Sequence, residues 1–164
     1  MGTGMMVVAC ILGMGLLTLF FSEVEEHQRN PNRSPSTQMN AHAIEVTLAR
    51  NRQGHYVVNG TINNRSAEFL LDTGATDVVV PAAIAAEYGL RRGARGVAST
   101  ANGNITVYST VIDELSIGEI TLYDVNASIN PGMSPPAVLL GMSALKRVEF
   151  IQSGGQLTLR QLSP

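Results

Sequence analysis

Beyond Ile44 the chain is divided by turn residues into short apolar stretches, and that punctuation constrains the fold more than any other feature. Ile44, Val46 and Leu48 alternate with Glu45, Thr47 and Ala49, the period of a strand with one buried face. Asn51-Arg52-Gln53-Gly54 reads as a turn, residues 55–62 as a second strand, and Asn63-Asn64-Arg65 as the turn into a third strand ending at Asp72. Residues 77–80 make a short apolar strand, and Pro81 opens a helix over 82–88 that Gly89 closes. Residues 96–100 and 105–111 form a hairpin around Asn102-Gly103, a pair suited to tight turns because both central residues take positive φ. A further hairpin joins 111–115 to 120–125 around Gly118. The run Ala137-Val138-Leu139-Leu140 reads as a strand buried on both faces and ending at Gly141. Residues 142–147 suit a brief helix, and 148–151 with 156–159 suit a closing hairpin around Ser153-Gly154-Gly155. With about nine or ten such strands and one or two small helices, the domain is expected to be mostly β, its sheet closed or folded on itself.

The first 22 residues carry no charged side chain, and residues 5–21 are almost wholly apolar. As a helix they span roughly 33 Å, against about 30 Å of bilayer hydrocarbon. We read residues 1–22 as a transmembrane anchor. The segment lacks the basic start and the small-residue cleavage site of a signal peptide, and too little apolar chain precedes Cys10 for Val7-Val8-Ala9-Cys10 to act as a lipidation box. Glu23, Glu25 and Glu26 favour an outward C-terminal side, which places the chain as a single-pass protein of the inner (cytoplasmic) membrane with its domain periplasmic or extracytoplasmic. Residues 23–43 are polar, contain Pro31 and Pro35, show no apolar period and read as a tether. Residues 44–164 then form the domain.

Several chemistries are excluded by what the sequence contains. A formal net charge of −2 gives no basic face for nucleic acid, and Arg91, Arg92 and Arg95 read as a solvated turn. Cys10 is the single cysteine, so no intrachain disulfide or cysteine-built zinc site can form, and no metal or other cofactor is expected. There is no His-Glu-x-x-His; His27 and His42 fall in the tether, leaving His55 alone in the domain. Gly141-Met142-Ser143-Ala144-Leu145 lacks the second glycine of a nucleophile elbow, and no glycine-rich loop followed by Lys is present to cradle a phosphate.

What remains is Asp72. Phe69, Leu70 and Leu71 lead an apolar strand into an acid followed by Thr73 and Gly74, and a carboxylate there needs either a turn-capping role or a chemical one. The triplet alone decides nothing. Its context is more specific: Ala75-Thr76 follows, the Asn102-Gly103 hairpin comes next, and Leu139-Leu140-Gly141-Met142-Ser143 lies downstream. In that order the motifs resemble those of the retropepsin-like aspartic proteases, in particular the bacterial membrane-anchored branch, over about residues 50–160.

The resemblance implies a single-lobed acid-protease barrel and a peptide-cleaving site built from two carboxylates. Like charges about 3 Å apart cannot both ionise, so the two share one proton; aspartic proteases are the standard instance of that physics. One carboxylate then serves as base toward a water and the other as acid toward the scissile carbonyl. Asp77, Asp113 and Asp124 are not followed by Thr-Gly or Ser-Gly, so this chain supplies one such group. The implied active form is a homodimer with Asp72 from each copy on the twofold axis, acting on a protein or peptide substrate. By the same resemblance Thr73 would bond across the dimer and Gly74 would admit backbone N–H groups to the carboxylates. Ala75 and Thr76 would complete the loop, and Leu139, Leu140 and Gly141 would pack beneath it. Thr100, Ala101, Asn102, Gly103 and Asn104 would form a flap closing over the peptide. Thr76 stands where retroviral relatives carry an Asp, so the substrate contact made there is not carried over. The alternative is a catalytically inactive module of the same fold that binds peptides or dimerises.

Overall fold

The structure is a computed structural model that describes residues 2–100 and 103–162. It opens with α1 (Thr3–Arg29), a helix long and apolar enough to cross a membrane, none of whose residues is buried against the rest of the chain. Two β-sheets follow. The smaller is built from β1 (Ser36–Met39), β2 (Ala43–Ala49), β10 (Glu149–Ser153) and β11 (Gln156–Leu162), ordered β1-β2-β11-β10 and antiparallel throughout.

The larger sheet has seven strands. These are β3 (Val57–Ile62), β4 (Arg65–Leu71), β5 (Val78–Pro81), β6 (Arg95–Thr100), β7 (Gly103–Ile117), β8 (Ile120–Asn130) and β9 (Ala137–Leu140). Their order is β3-β4-β9-β5-β8-β7-β6, with β3 also pairing to β7, so the sheet bends back on itself. Two single-turn helices, α2 (Ala82–Ala85) and α3 (Met142–Leu145), complete the architecture. The mostly β, single-lobed expectation is met.

One core joins the two sheets. Val46, Leu48, Leu157 and Leu159 enter it from the smaller sheet, and Phe69, Val80, Ile112, Ile129 and Leu140 from the larger. The alternation read along residues 44–48 therefore corresponds to Val46 and Leu48 facing inward, both fully buried. β9 is central, parallel to β4 and antiparallel to β5. Val138 and Leu140 are buried whereas Ala137 and Leu139 are half-buried, so burial on both faces holds for one face only.

Three local expectations need correction. The helix expected over 82–88 stops after one turn: Leu90 N–H bonds back to the Ala85 carbonyl at 3.0 Å, and Gly89, at φ +72, turns the chain away. The two hairpins expected across 96–125 share one 15-residue strand, β7. It pairs with β6 as far as Tyr108 and with β8 from Tyr108 onward, so a change of partner needed no break in the backbone. Most consequentially, residues 23–43 are structured. α1 continues to Arg29, Asn30 and Asn32 are buried, and residues 36–39 pair with β2.

Candidate active site

β4 delivers Asp72 to the middle of the larger sheet. Its neighbour β9 runs alongside, Leu70 opposite Leu139 and Leu71 opposite Leu140, and the Asp72 N–H donates to the Leu140 carbonyl at 3.1 Å. The carboxylate is half-buried where the strand ends. Gly74 N–H donates to Asp72 Oδ1 at 2.9 Å, and Ala75 N–H donates to the Asp72 carbonyl at 3.2 Å. A Cβ on Gly74 would stand 3.1 Å from that same oxygen, so a larger residue there would push the carboxylate aside by a few tenths of an ångström.

The loop is held from beneath by the chain that follows β9. Met142 N–H donates to the Ala75 carbonyl and Ser143 N–H to the Thr76 carbonyl, each at 2.8 Å. Ser143 Oγ accepts from Val78 N–H at 2.9 Å and donates to the Asn126 carbonyl at 2.7 Å, tying the loop exit to β8. Gly141 permits this approach. A Cβ there would lie 2.1 Å from the Asp77 carbonyl oxygen and 2.7 Å from that of Ala75. Asp72, Ala75, Thr76 and Leu139-Leu140-Gly141 are thus brought together, Leu140 buried in the core below. Thr73, Gly74 and Thr76 are exposed, and among the described residues the Thr73 hydroxyl makes no hydrogen bond within its own chain.

The hairpin read as a flap is present as β6 and the first part of β7, paired from Arg95 opposite Tyr108 to Thr100 opposite Gly103. Asn104 pairs with Ser99, Thr100 Oγ1 donates to the Gly103 carbonyl at 2.8 Å, and Gly103 has φ +106. Ala101 and Asn102, the expected tip, lie outside the described residues. β6 is the sheet's edge strand and is exposed at every residue but Ala98.

Sequence reasoning passed over two features. Ser143 anchors the loop twice, and its signal was its position two residues after Gly141. Arg91 and Arg92, read as a solvated turn, line an open cleft of about 730 Å³ together with Asp77, Ser109 and Asp113. Arg92 also stacks over the Tyr108 ring at 5.0 Å. That cavity does not include Asp72, Thr73 or Gly74, so its size carries no argument about the carboxylate. Nearby, burial and then Glu87 push the Tyr88 hydroxyl above its usual value. Among the described residues no cluster of His, Cys, Asp and Glu could hold a metal ion.

A half-buried acid therefore sits in a loop that Leu140, Gly141 and the two residues after them hold from beneath. The family model described as gag-polyprotein putative aspartyl protease matches residues 58–147, from β3 through α3 and including the whole Asp loop. The chain belongs to this retropepsin-like family. It is 30% identical over 111 residues to an uncharacterized protein of Sinorhizobium sp, covering 66% of this chain and 48% of that one. It is 28% identical over 116 residues to an uncharacterized protein of Rickettsia prowazekii (strain Madrid E), covering 69% and 49%. The chain therefore spans about half the length of these relatives. The crystal structure of a retropepsin-like aspartic protease from Rickettsia conorii superposes with a TM-score of 0.61 at 26% identity, covering 79% of this chain and 96% of that one.

Proposed function

We propose that this retropepsin-like protein is a membrane-tethered, homodimeric aspartic endopeptidase. The observation that carries the reading is the single Asp72, held half-buried by Gly74 N–H and backed by Gly141 and Ser143, with one Asp-Thr-Gly per chain. A general acid and a general base are both needed, so a second copy must supply the second carboxylate. In the dimer one Asp72 takes a proton from a water that attacks the scissile carbonyl, while the other donates its proton to the carbonyl oxygen. The exposed Thr73 hydroxyl is free within its chain to bond to the opposite loop. Leu139, half-buried on the face away from the core, offers apolar surface to a bound peptide, and the β6–β7 hairpin closes over it. We place α1 in the inner (cytoplasmic) membrane with residues 44–164 on its outer side. Anchoring both copies in one membrane raises their effective concentration and favours pairing.

The test is Asp72→Asn in the full chain. Cleavage of an extended peptide is expected to fall by a factor of about 1,000 or more with the melting temperature unchanged. Adding an excess of the substituted chain to the parent should lower activity beyond simple dilution, because mixed dimers hold one usable acid. If Asp72→Asn cleaves like the parent, the mechanism is wrong. If the parent binds peptides without Asp72-dependent cleavage, the protein is an inactive module of the same fold.

A further inference from the structure

The junction between α1 and the domain is built, residue by residue, as a rigid connection. α1 runs on through Arg29, and Asn30 N–H caps it by donating to the Glu26 carbonyl at 2.9 Å. Asn30 and Asn32 are 1% and 4% exposed, the most buried polar residues in the chain's described part. Asn32 Nδ2 donates to the carbonyls of Ala49 and Val57 at 2.9 and 2.7 Å, and its Oδ1 accepts from Ala49 N–H at 2.6 Å. The Asn32 carbonyl accepts from Asn59 N–H at 3.2 Å. Asn30 Nδ2 donates to Asn59 Oδ1 at 2.8 Å and to Glu68 Oε2 at 3.3 Å, while Arg29 pairs with Glu68 at 2.5 Å. Two further bonds, from Asn51 Nδ2 to the Arg29 carbonyl and from Arg52 to Gln28, hold the last helical turn. Buried amides with both ends satisfied fix one geometry, because any other leaves them unpaired away from water.

Glu68 lies on β4, the strand that ends at Asp72. The helix is therefore attached to the strand that carries the acid. A flexible polar segment of the length of residues 23–43 would let the domain wander over an r.m.s. distance of roughly 25 Å. A helix does not. From Ser22 to Arg29 it rises about 12 Å beyond the apolar span, the side-chain bridge from Arg29 to Glu68 spans about 10 Å more, and Glu68 to Asp72 adds at most about 13 Å along the strand.

We propose that this junction is a ruler. Resting on the membrane-anchored endopeptidase reading above, it holds Asp72 within roughly 35 Å of the bilayer surface, and so selects as substrates extended segments of other membrane-anchored proteins next to their own transmembrane helices. Two copies held by the same clamp in the same membrane present their acids at one height, which the shared site requires.

The experiment uses the full chain in lipid vesicles with a synthetic single-pass reporter. A helical spacer of Glu-Ala-Ala-Ala-Lys repeats, about 1.5 Å per residue, lifts one cleavable segment to a series of heights. That segment is the peptide cut fastest in solution. The parent is expected to cut segments below about 35 Å at least tenfold faster than those raised to about 60 Å. A Gly-Ser insert of about twenty residues between Ser22 and Glu23 leaves every bond of the clamp in place yet frees the domain, and should shrink that contrast to about threefold or less. Asn32→Ala, which releases Ala49 and Val57, should shrink it too. All forms should cut the soluble peptide at the same rate within about twofold, the readout that a general loss of folding would move. A flat height profile for the parent, or an unchanged one with the insert, overturns the ruler while soluble cleavage stands. Loss of all Asp72-dependent soluble cleavage overturns the endopeptidase reading and this substrate assignment with it.

Discussion

The Asp loop, residues 72–77, and the β6–β7 hairpin belong to the same sheet but are held in opposite ways. The loop's backbone is bonded on its inner side to Leu140, Met142 and Ser143, and no space remains beneath it at Gly141. The hairpin's strand bonds run between its own two strands, and β6 is an exposed edge that includes Val97 at 70% exposure. Local stability follows buried apolar contact, so the loop should open only with the whole domain whereas the hairpin should move on its own. That difference suits the proposed function, in which a catalytic carboxylate needs fixed geometry and a cover that admits a peptide needs the reverse.

The contrast is broken most directly at Gly141. Gly141→Ala puts a Cβ against backbone oxygens that cannot swing aside, and denaturant titration should show a loss of about 3 kcal/mol. Peptide cleavage should fall about 100-fold even where the chain stays folded, because the loop must lift. Ser143→Ala comes next. It leaves Val78 N–H and the Asn126 carbonyl without their buried partner and should cost about 2 kcal/mol, with a smaller drop in kcat. Gly103→Ala, at φ +106 in the hairpin, strains the backbone only there and should have the smallest effect on global stability, about 1 kcal/mol, and should raise KM about threefold. If Gly103→Ala unfolds the domain as readily as Gly141→Ala, the two regions are one cooperative unit and the comparison fails.

The parts of the fold that were legible are those with local causes. The period along residues 44–48, the turns at residues 51–54 and 63–65, and the apolar strand running into Asp72 all depend on residues adjacent in sequence. The approach of Leu140 and Gly141 to the Asp loop joins segments roughly 65 residues apart, beyond the reach of any local pattern. Ser143 was in view but had no visible role, since its partners Val78 and Asn126 come from two other strands. The structured character of residues 23–43 was hidden for a different reason. Asn30 and Asn32 read as solvated because composition records polarity, not the carbonyl groups of Ala49 and Val57 that satisfy it.

Sequence alone determined that the chain carries one Asp-Thr-Gly, one uncharged span of membrane length and a run of short strands between turns, because charge, length and period are properties of neighbouring residues. Tertiary structure decided that Gly141 and Ser143 lock the acid in place, that Arg29 and Asn30 fasten the helix to the strand bearing it, and that Asn32 ties the junction to the two strands beside it. Those outcomes depend on close backbone approach and on the pairing of buried polar groups, and both exist only once distant segments have met.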